Sequence, residues 1–112
     1  MSRLIDDDLA REHLRVEPSE PIEIYIRAAE LWATEYMNRN IYADQVALDT
    51  AVEKGEAGEH PIVITDLMRV GILALAGHLY ENRESVVVGV SVSEVPMSTA
   101  SLLFPYRKGL GV

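Results

Sequence analysis

The feature that most constrains the fold is an apolar segment, Leu67 to Leu79, in the second half of the chain. Arg69 is its only charged residue. Thr65 precedes it where a hydroxyl can accept a hydrogen bond from a first helical turn, and Asp66 puts a carboxylate at the positive end of the helix dipole. Helices that are apolar nearly all round are buried on several sides. The segment therefore predicts a central helix, covered by the other helices of the chain or by another subunit.

Three more helices are predicted before the central one. Residues 6–16 form a short helix with an acidic first turn and a face made by Leu9, His13 and Val16. Residues 20–39 form a longer helix with Ser19 as its cap, and residues 44–54 form a third helix that ends before a glycine. Apolar residues at three- and four-residue spacing predict the buried stripe of the longer helix: Ile22, Tyr25, Ile26, Ala29, Ala33, Tyr36 and Met37. In the third helix, Val46 or Ala47, Leu48, Ala51 and Val52 are expected to point inward, with Gly55 just past its end.

The segment 85–95 changes to a period of two, which is typical of a strand. Its even-numbered valines, which alternate with other residues, are Val86, Val88, Val90 and Val92. An unpaired edge so rich in valine favours aggregation, so we expect a hairpin around Gly89 or an arm that pairs with another copy. A last short helix starts at Pro96. The predicted fold is mainly α, one domain over residues 1–112: a small helical bundle around a central apolar helix, with an extended or β-hairpin arm before a short C-terminal helix.

The charge of the chain disfavours several classes of function. The net charge is −8, and residues 1–65 carry all of it, with fourteen acidic and six basic side chains. An acidic protein lacks the counterion release that drives binding to nucleic acid, so a free-standing DNA-binding protein is not expected. There is no cysteine, no basic start followed by an apolar run, and no apolar run near the roughly 20 residues that a membrane helix needs. These features favour a soluble protein made inside the cell.

No pattern of side chains points to an enzyme. His78 and Glu81 share a helical face, but a catalytic metal site normally needs three protein ligands. We interpret them as packing or interface groups, and we expect Glu81 and Arg83 to form an ion pair within the subunit or with a neighbour. Neither a cofactor nor a metal is predicted.

Three aromatic or basic residues are further interface candidates. Trp32 lies off the centre of the buried stripe, so it is either a second packing group within the fold or an anchor for a partner. Tyr106 and Arg107 either anchor the C-terminus by packing and charged hydrogen bonds or belong to a plain surface tail.

Four stretches of the sequence resemble the head–tail connector (adaptor) proteins of tailed bacteriophages. They are HLYENRESVVVG at 78–89, HLRV at 13–16, the helix end at 28–40, and LLFPYR at 102–107. Order and spacing agree along nearly the whole chain, and residues 44–58 look like a subgroup insertion. The resemblance implies a non-enzymatic structural protein of the virion that forms a ring of about twelve subunits beneath the portal. It also implies that the partners are the portal and the next connector or a tail-completion protein, with DNA passing through the ring without sequence-specific binding.

Two alternatives differ from the connector in class. A small acidic helical interaction module would bind a basic partner through residues 1–65 and would stay a stable monomer or dimer. An enzyme subunit would need a polar pocket around His78 and Glu81 that holds a ligand or a metal.

Overall fold

The fold is mainly α, as predicted. The computed structural model describes residues 4–15, 21–81 and 96–108. Its helices are α1 (Asp7–Leu14), α2 (Glu23–Met37), α3 (Gln45–Glu53), α4 (Asp66–Glu81) and α5 (Met97–Leu103), followed by a 3-10 turn at Phe104–Tyr106; its strands are β1 (Ile41–Tyr42) and β2 (Ile62–Val63). None of the helices in these ranges is both long enough and apolar enough to cross a bilayer. The predicted arm at 85–95 lies outside the described residues.

Helix α4 is the centre of the bundle and packs against α1, α2 and α5. The predicted cap is confirmed, because the backbone N–H of Met68 donates to the Thr65 hydroxyl at 3.2 Å. One side of α4 is nevertheless exposed to solvent, because Leu67 is 53% and Val70 48% exposed. The buried residues of α4 are Met68, Gly71, Ile72, Leu73, Leu75, Ala76 and Leu79.

Among the helices that precede α4 in the chain, α2 packs against it most extensively. It begins at Glu23, three residues later than predicted, with Ile22 at the N-cap and no side-chain capping bond there. The predicted cap, Ser19, lies outside the described residues. The predicted stripe is confirmed, with its two tyrosines half-buried and five residues fully buried: Ile22, Ile26, Ala29, Ala33 and Met37.

The face predicted for α1 is wrong. Leu9 and His13 are exposed, while Ala10 is fully buried; Val16, the third residue of that face, lies outside the described residues. The buried side of α1 is the one whose Ala10 packs into the core, and a partly exposed ion pair with α2 accompanies this orientation. Arg11 forms an ion pair with Glu23 at 3.0 Å, and the Glu23 backbone N–H together with this guanidinium holds the pKa of the Glu23 carboxyl below its usual value.

Two short strands were not predicted from the sequence. β1 and β2 pair in parallel, Ile41 with Ile62 and Tyr42 with Val63, and α3 connects them. Asp44 caps α3 by accepting a hydrogen bond from the backbone N–H of Ala47 at 2.8 Å.

Helix α3 packs against both strands. Gly55 follows its end with φ +71°, the left-handed conformation that the prediction assigned to it. Val46 and Val52 are exposed rather than inward, because strands of two residues cover only a narrow part of the helix around Ala51.

Helix α5 crosses α4 at Gly71. The Thr99 hydroxyl, which is fully buried, donates to the Gly71 carbonyl at 2.7 Å. A β-carbon at Gly71 would lie 3.4 Å from Leu102 Cβ, so the absent side chain permits the close approach of the two helices. Leu103 is buried at this contact, whereas the neighbouring Phe104 is exposed.

Candidate assembly surfaces

The residues after α5 form a clasp, residues 104–108, over the C-terminal end of α2. An α-helix leaves its last four carbonyls without partners inside the helix. The Arg107 Nε–H donates to the Tyr36 carbonyl at 2.9 Å, and the Lys108 backbone N–H donates to the Met37 carbonyl at 3.0 Å. The clasp therefore completes the end of α2, which turns sharply at Asn38 with φ +56°.

The Tyr36 ring is in contact with two of the predicted site residues. Trp32 stacks on it with ring centroids 4.7 Å apart and planes inclined by 13°. The Arg107 guanidinium carbon lies 4.5 Å from the Tyr36 centroid, within the range of a cation–π contact. Trp32 thus packs within the fold, and its role as an anchor for a partner stays a prediction.

Tyr106 ties the clasp to two other parts of the chain. Its hydroxyl lies 3.5 Å from the Thr65 hydroxyl at the start of α4. Its carbonyl accepts a hydrogen bond from Arg39 Nη1 at 3.3 Å, while Arg39 Nε–H donates to the His60 carbonyl at 2.9 Å. Tyr106 and Arg107 are therefore held by packing and hydrogen bonds within the subunit; whether they also contact another protein stays a prediction.

A polar cleft of about 340 Å³ lies beside this Arg39 bridge. The Arg39 guanidinium already donates hydrogen bonds to two carbonyls, and the Asn40 side-chain amide donates to the Ala57 carbonyl at 2.9 Å. These groups therefore hold the clasp and the loop between α3 and β2 in place. In the described ranges, no three His, Cys, Asp or Glu side chains are placed to hold a metal ion. The cleft is lined by Thr34, Glu35, Asn38, Arg39, Asn40, Gly58, Glu59 and His60.

The C-terminal end of α4 carries the remaining described candidates. His78 is half-buried and Glu81 is exposed. Between them Tyr80 meets the edge of Tyr25 of α2, with centroids 5.9 Å apart and planes inclined by 79°. The other candidates lie outside the described residues, and their interface roles stay predictions: Arg83, Val86, Val88, Val90 and Val92.

Apolar residues also line the outward sides of α2 and α4. Cover of the central helix by another subunit was one of the two predictions for it, whereas the outward apolar side of α2 was not predicted. The α2 outer stripe consists of Ile24, Ala28 and Leu31, on the side opposite the buried stripe. Ile24 is 64% and Leu31 60% exposed. The α4 outer stripe consists of Leu67, Val70 and the half-buried Ala74. The outer side of α2 could have been recognised in the sequence, because apolar residues at three- and four-residue spacing occur on both sides of this helix.

Removing the Arg107 side chain is expected to loosen the clasp. Arg107→Ala loses the hydrogen bond to the Tyr36 carbonyl and the contact with its ring, which together predict a loss of about 1–3 kcal/mol in the free energy of unfolding. Urea denaturation followed by the fluorescence of Trp32 measures it. Lys108→Ala is the matched control and should change stability by less than about 0.5 kcal/mol, since Lys108 acts through its backbone. Equal losses in the two variants would contradict the assigned role of Arg107.

Comparison with known protein families agrees with the resemblance seen in the sequence. Neither a curated protein nor a solved structure matches the chain significantly. The model of the family described as phage gp6-like head-tail connector protein matches residues 8–107, a stretch that extends from α1 to the clasp. A match of that extent covers most of the chain, so the protein belongs to the phage gp6-like head–tail connector family.

Proposed function

We propose that this connector protein forms a homo-oligomeric ring of about twelve subunits beneath the portal, where it joins the DNA-filled capsid to the tail and extends the DNA channel. The observation that carries the proposal is the family match over residues 8–107. A head–tail connector is a structural component of the virion, and its partners are the portal on one side and the next connector or a tail-completion protein on the other. The proposed role needs no catalysis and no cofactor.

The described surface supports self-assembly through unlike patches. Subunits of a cyclic ring make head-to-tail contacts, so each one must offer two different surfaces to its neighbours. The α2 outer stripe and the α4 outer stripe are two such apolar surfaces on different helices. Isolated exposed apolar residues are common on soluble proteins, whereas a contiguous apolar patch is a candidate contact surface.

The distribution of charge suits a channel through which DNA passes. Residues 1–65 carry a net charge of −8 and the remainder a net charge of zero. Acidic side chains repel phosphates and do not gain affinity from counterion release. DNA would therefore move past the protein without sequence-specific binding.

The interface candidates divide into three groups under this proposal. His78, Glu81 and Arg83 would mark the end of α4, where Glu81 and Arg83 form ion pairs within the subunit or across to a neighbour. The valines of the arm would contact a neighbouring subunit or the portal, in the manner of strand addition. Trp32, Tyr106 and Arg107 would contact another protein on the side of the subunit where the clasp lies.

Restoration of infectivity in vitro tests the proposal. DNA-filled, portal-bearing heads that lack their own connector are incubated with the purified protein and then with tails. We expect tailed, infectious particles in proportion to the added protein. Heads that bind no protein and acquire no tails would overturn the proposal.

Charge placed in the arm is expected to block assembly. Val88→Asp with Val90→Asp puts two carboxylates on the apolar side of a period-two segment, where burial against a partner would desolvate them. We expect no attachment to heads and unchanged helical content by circular dichroism. Ser91→Asp with Ser93→Asp adds the same charges on the alternate side and serves as the control. Assembly that survives in the Val88 and Val90 variant would show that this side of the arm is not an interface.

A further inference from the structure

We propose that the clasp and the α3–β2 loop, residues 54–61, open and close together as one local unit, and that the Arg39 side chain is the link between them. The inference goes beyond the proposed function, because it concerns the isolated subunit and needs neither a portal nor a ring. Its consequence is that a contact which stabilises one of the two segments also stabilises the other.

The Arg39 side chain joins two segments that are far apart in the sequence. Its Nε–H donates to the His60 carbonyl of the loop at 2.9 Å, and Nη1 donates to the Tyr106 carbonyl of the clasp at 3.3 Å. Within the residues that the structure describes, Arg39 is the only side chain with hydrogen bonds to both segments. The guanidinium is planar and holds its N–H donors in fixed directions, so a shift of one carbonyl disturbs the bond to the other.

The end of α2 fixes the backbone from which this side chain starts. Asn38 has φ +56°, and the backbone N–H groups of Asn38 and Arg39 donate to the Glu35 and Thr34 carbonyls, both at 3.3 Å. This pair of bonds is the Schellman arrangement of a helix C-terminus. Because the backbone of Arg39 is held in this way, its guanidinium cannot follow one segment outward without leaving the other.

The loop has few other attachments. The Ala57 carbonyl accepts a hydrogen bond from the Asn40 side-chain amide at 2.9 Å, whereas Glu59 and His60 are exposed. Segments with few buried contacts open at a low free energy, and segments that share contacts open as one cooperative unit. The bonds of Arg39 therefore decide whether the loop opens separately from the clasp or together with it.

The polar cleft lies between the parts that this unit joins. Asn38 and Arg39 line it from the end of α2, and Gly58, Glu59 and His60 line it from the loop. Movement of the loop changes the width of the cleft. A protein that contacts the clasp would therefore also alter the cleft, and occupation of the cleft would in turn stabilise the clasp.

Amide hydrogen exchange of the purified chain, followed by NMR, tests the coupling. The Lys108 N–H, which donates to the Met37 carbonyl, reports on the clasp. The Ile62 N–H, which donates to the Asn40 carbonyl at 3.0 Å directly after the loop, reports on the loop. Arg107→Ala should lower both protection factors by about 2- to 10-fold, which corresponds to the net contribution of one hydrogen bond. The factors are taken relative to that of the buried Ile72 amide, which reports global unfolding.

The same change in an Arg39→Ala background isolates the link. There Arg107→Ala should still lower the protection of the Lys108 amide but should leave that of the Ile62 amide unchanged. Arg27→Ala is the matched control background, because Arg27 is an exposed arginine near the start of α2, and the coupling should persist in it. An effect of Arg107→Ala on the Ile62 amide that is absent from the natural protein, or equal with and without Arg39, would overturn the inference.

A second variant excludes a route through α4. The Tyr106 hydroxyl lies 3.5 Å from the Thr65 hydroxyl, close to β2. Tyr106→Phe removes this contact and keeps the backbone carbonyl that Arg39 binds. We expect Arg107→Ala to lower the protection of the Ile62 amide in this background as well. Loss of the effect in Tyr106→Phe would assign the coupling to Thr65 and overturn the role of Arg39.

The reverse experiment starts from the loop. Asn40→Ala removes the bond to the Ala57 carbonyl and should lower the protection factor of the Lys108 amide by about 2- to 10-fold. Since coupling free energies are reciprocal, this effect should also disappear in the Arg39→Ala background. A Lys108 amide that does not respond to Asn40→Ala in the natural protein would show that the loop and the clasp open independently.

Discussion

Ile72→Ala is expected to lower the free energy of unfolding by about 2–5 kcal/mol, the range measured for large-to-small changes in well-packed cores. Ile72 is 0% exposed and lies in the middle of α4, which α1, α2 and α5 surround. The cost has two parts: the transfer free energy of the removed carbon atoms is lost, and a cavity remains because the packed helices do not move in to fill it. Small domains have about 5–15 kcal/mol of stability, so the variant should be partly unfolded at modest urea concentrations, as circular dichroism would show.

Val70→Ala is the matched control for this change. It removes aliphatic carbon from the same helix, two residues away, but on the exposed side. We expect a change of less than about 0.5 kcal/mol in stability. Similar destabilisation by the two variants would contradict the division of α4 into a core side and an outer side.

Gly71→Leu is expected to push α5 away from α4. The β-carbon alone would lie 3.4 Å from Leu102 Cβ and 3.6 Å from the Thr99 carbonyl, so the remaining atoms of a leucine have no room. Overpacking of this kind costs about 1–3 kcal/mol, and separation of the helices would also break the bond from Thr99 to the Gly71 carbonyl. Thermal unfolding measures the loss, and hydrogen exchange in residues 97–103 should increase.

Gly71→Ala is the control for Gly71→Leu, because it removes the glycine but adds only a β-carbon at the crossing of the two helices. Its β-carbon makes the two contacts just described and one more with Leu103 at 3.7 Å, and alanine gains up to about 1 kcal/mol over glycine in a helix. We expect stability within about 1 kcal/mol of the natural protein. A loss in Gly71→Ala as large as in Gly71→Leu would show that the helices have no tolerance at their crossing point.

The helices that determine the fold could be predicted because their cause is local. Thr65 is followed by an apolar run, and the three- and four-residue spacing of the α2 stripe is a direct consequence of helical geometry. The orientation of α1 could not be predicted in this way, since the small residue Ala10, and not Leu9, packs into the core of the folded chain. β1 and β2 have two residues each, too few to show a period.

The candidate site was predictable in its residue types but not in its partners. Tyr106 and Arg107 have the chemistry of anchoring groups, whereas the choice of the Tyr36 carbonyl follows from the left-handed turn at Asn38 that ends α2. The outer stripe of α2 was not predicted for a different reason. A single sequence does not show which of two apolar sides of a helix, that of Ile26 or that of Ile24, the chain itself covers.

Cryo-electron microscopy of the portal vertex tests the central claim most directly. Connector-deficient, DNA-filled heads are imaged before and after incubation with the purified protein. We predict a ring of added density beneath the portal, with about twelve-fold symmetry and an open channel on its axis. A vertex that is unchanged after incubation, under conditions in which the protein is folded and in excess, would contradict the account.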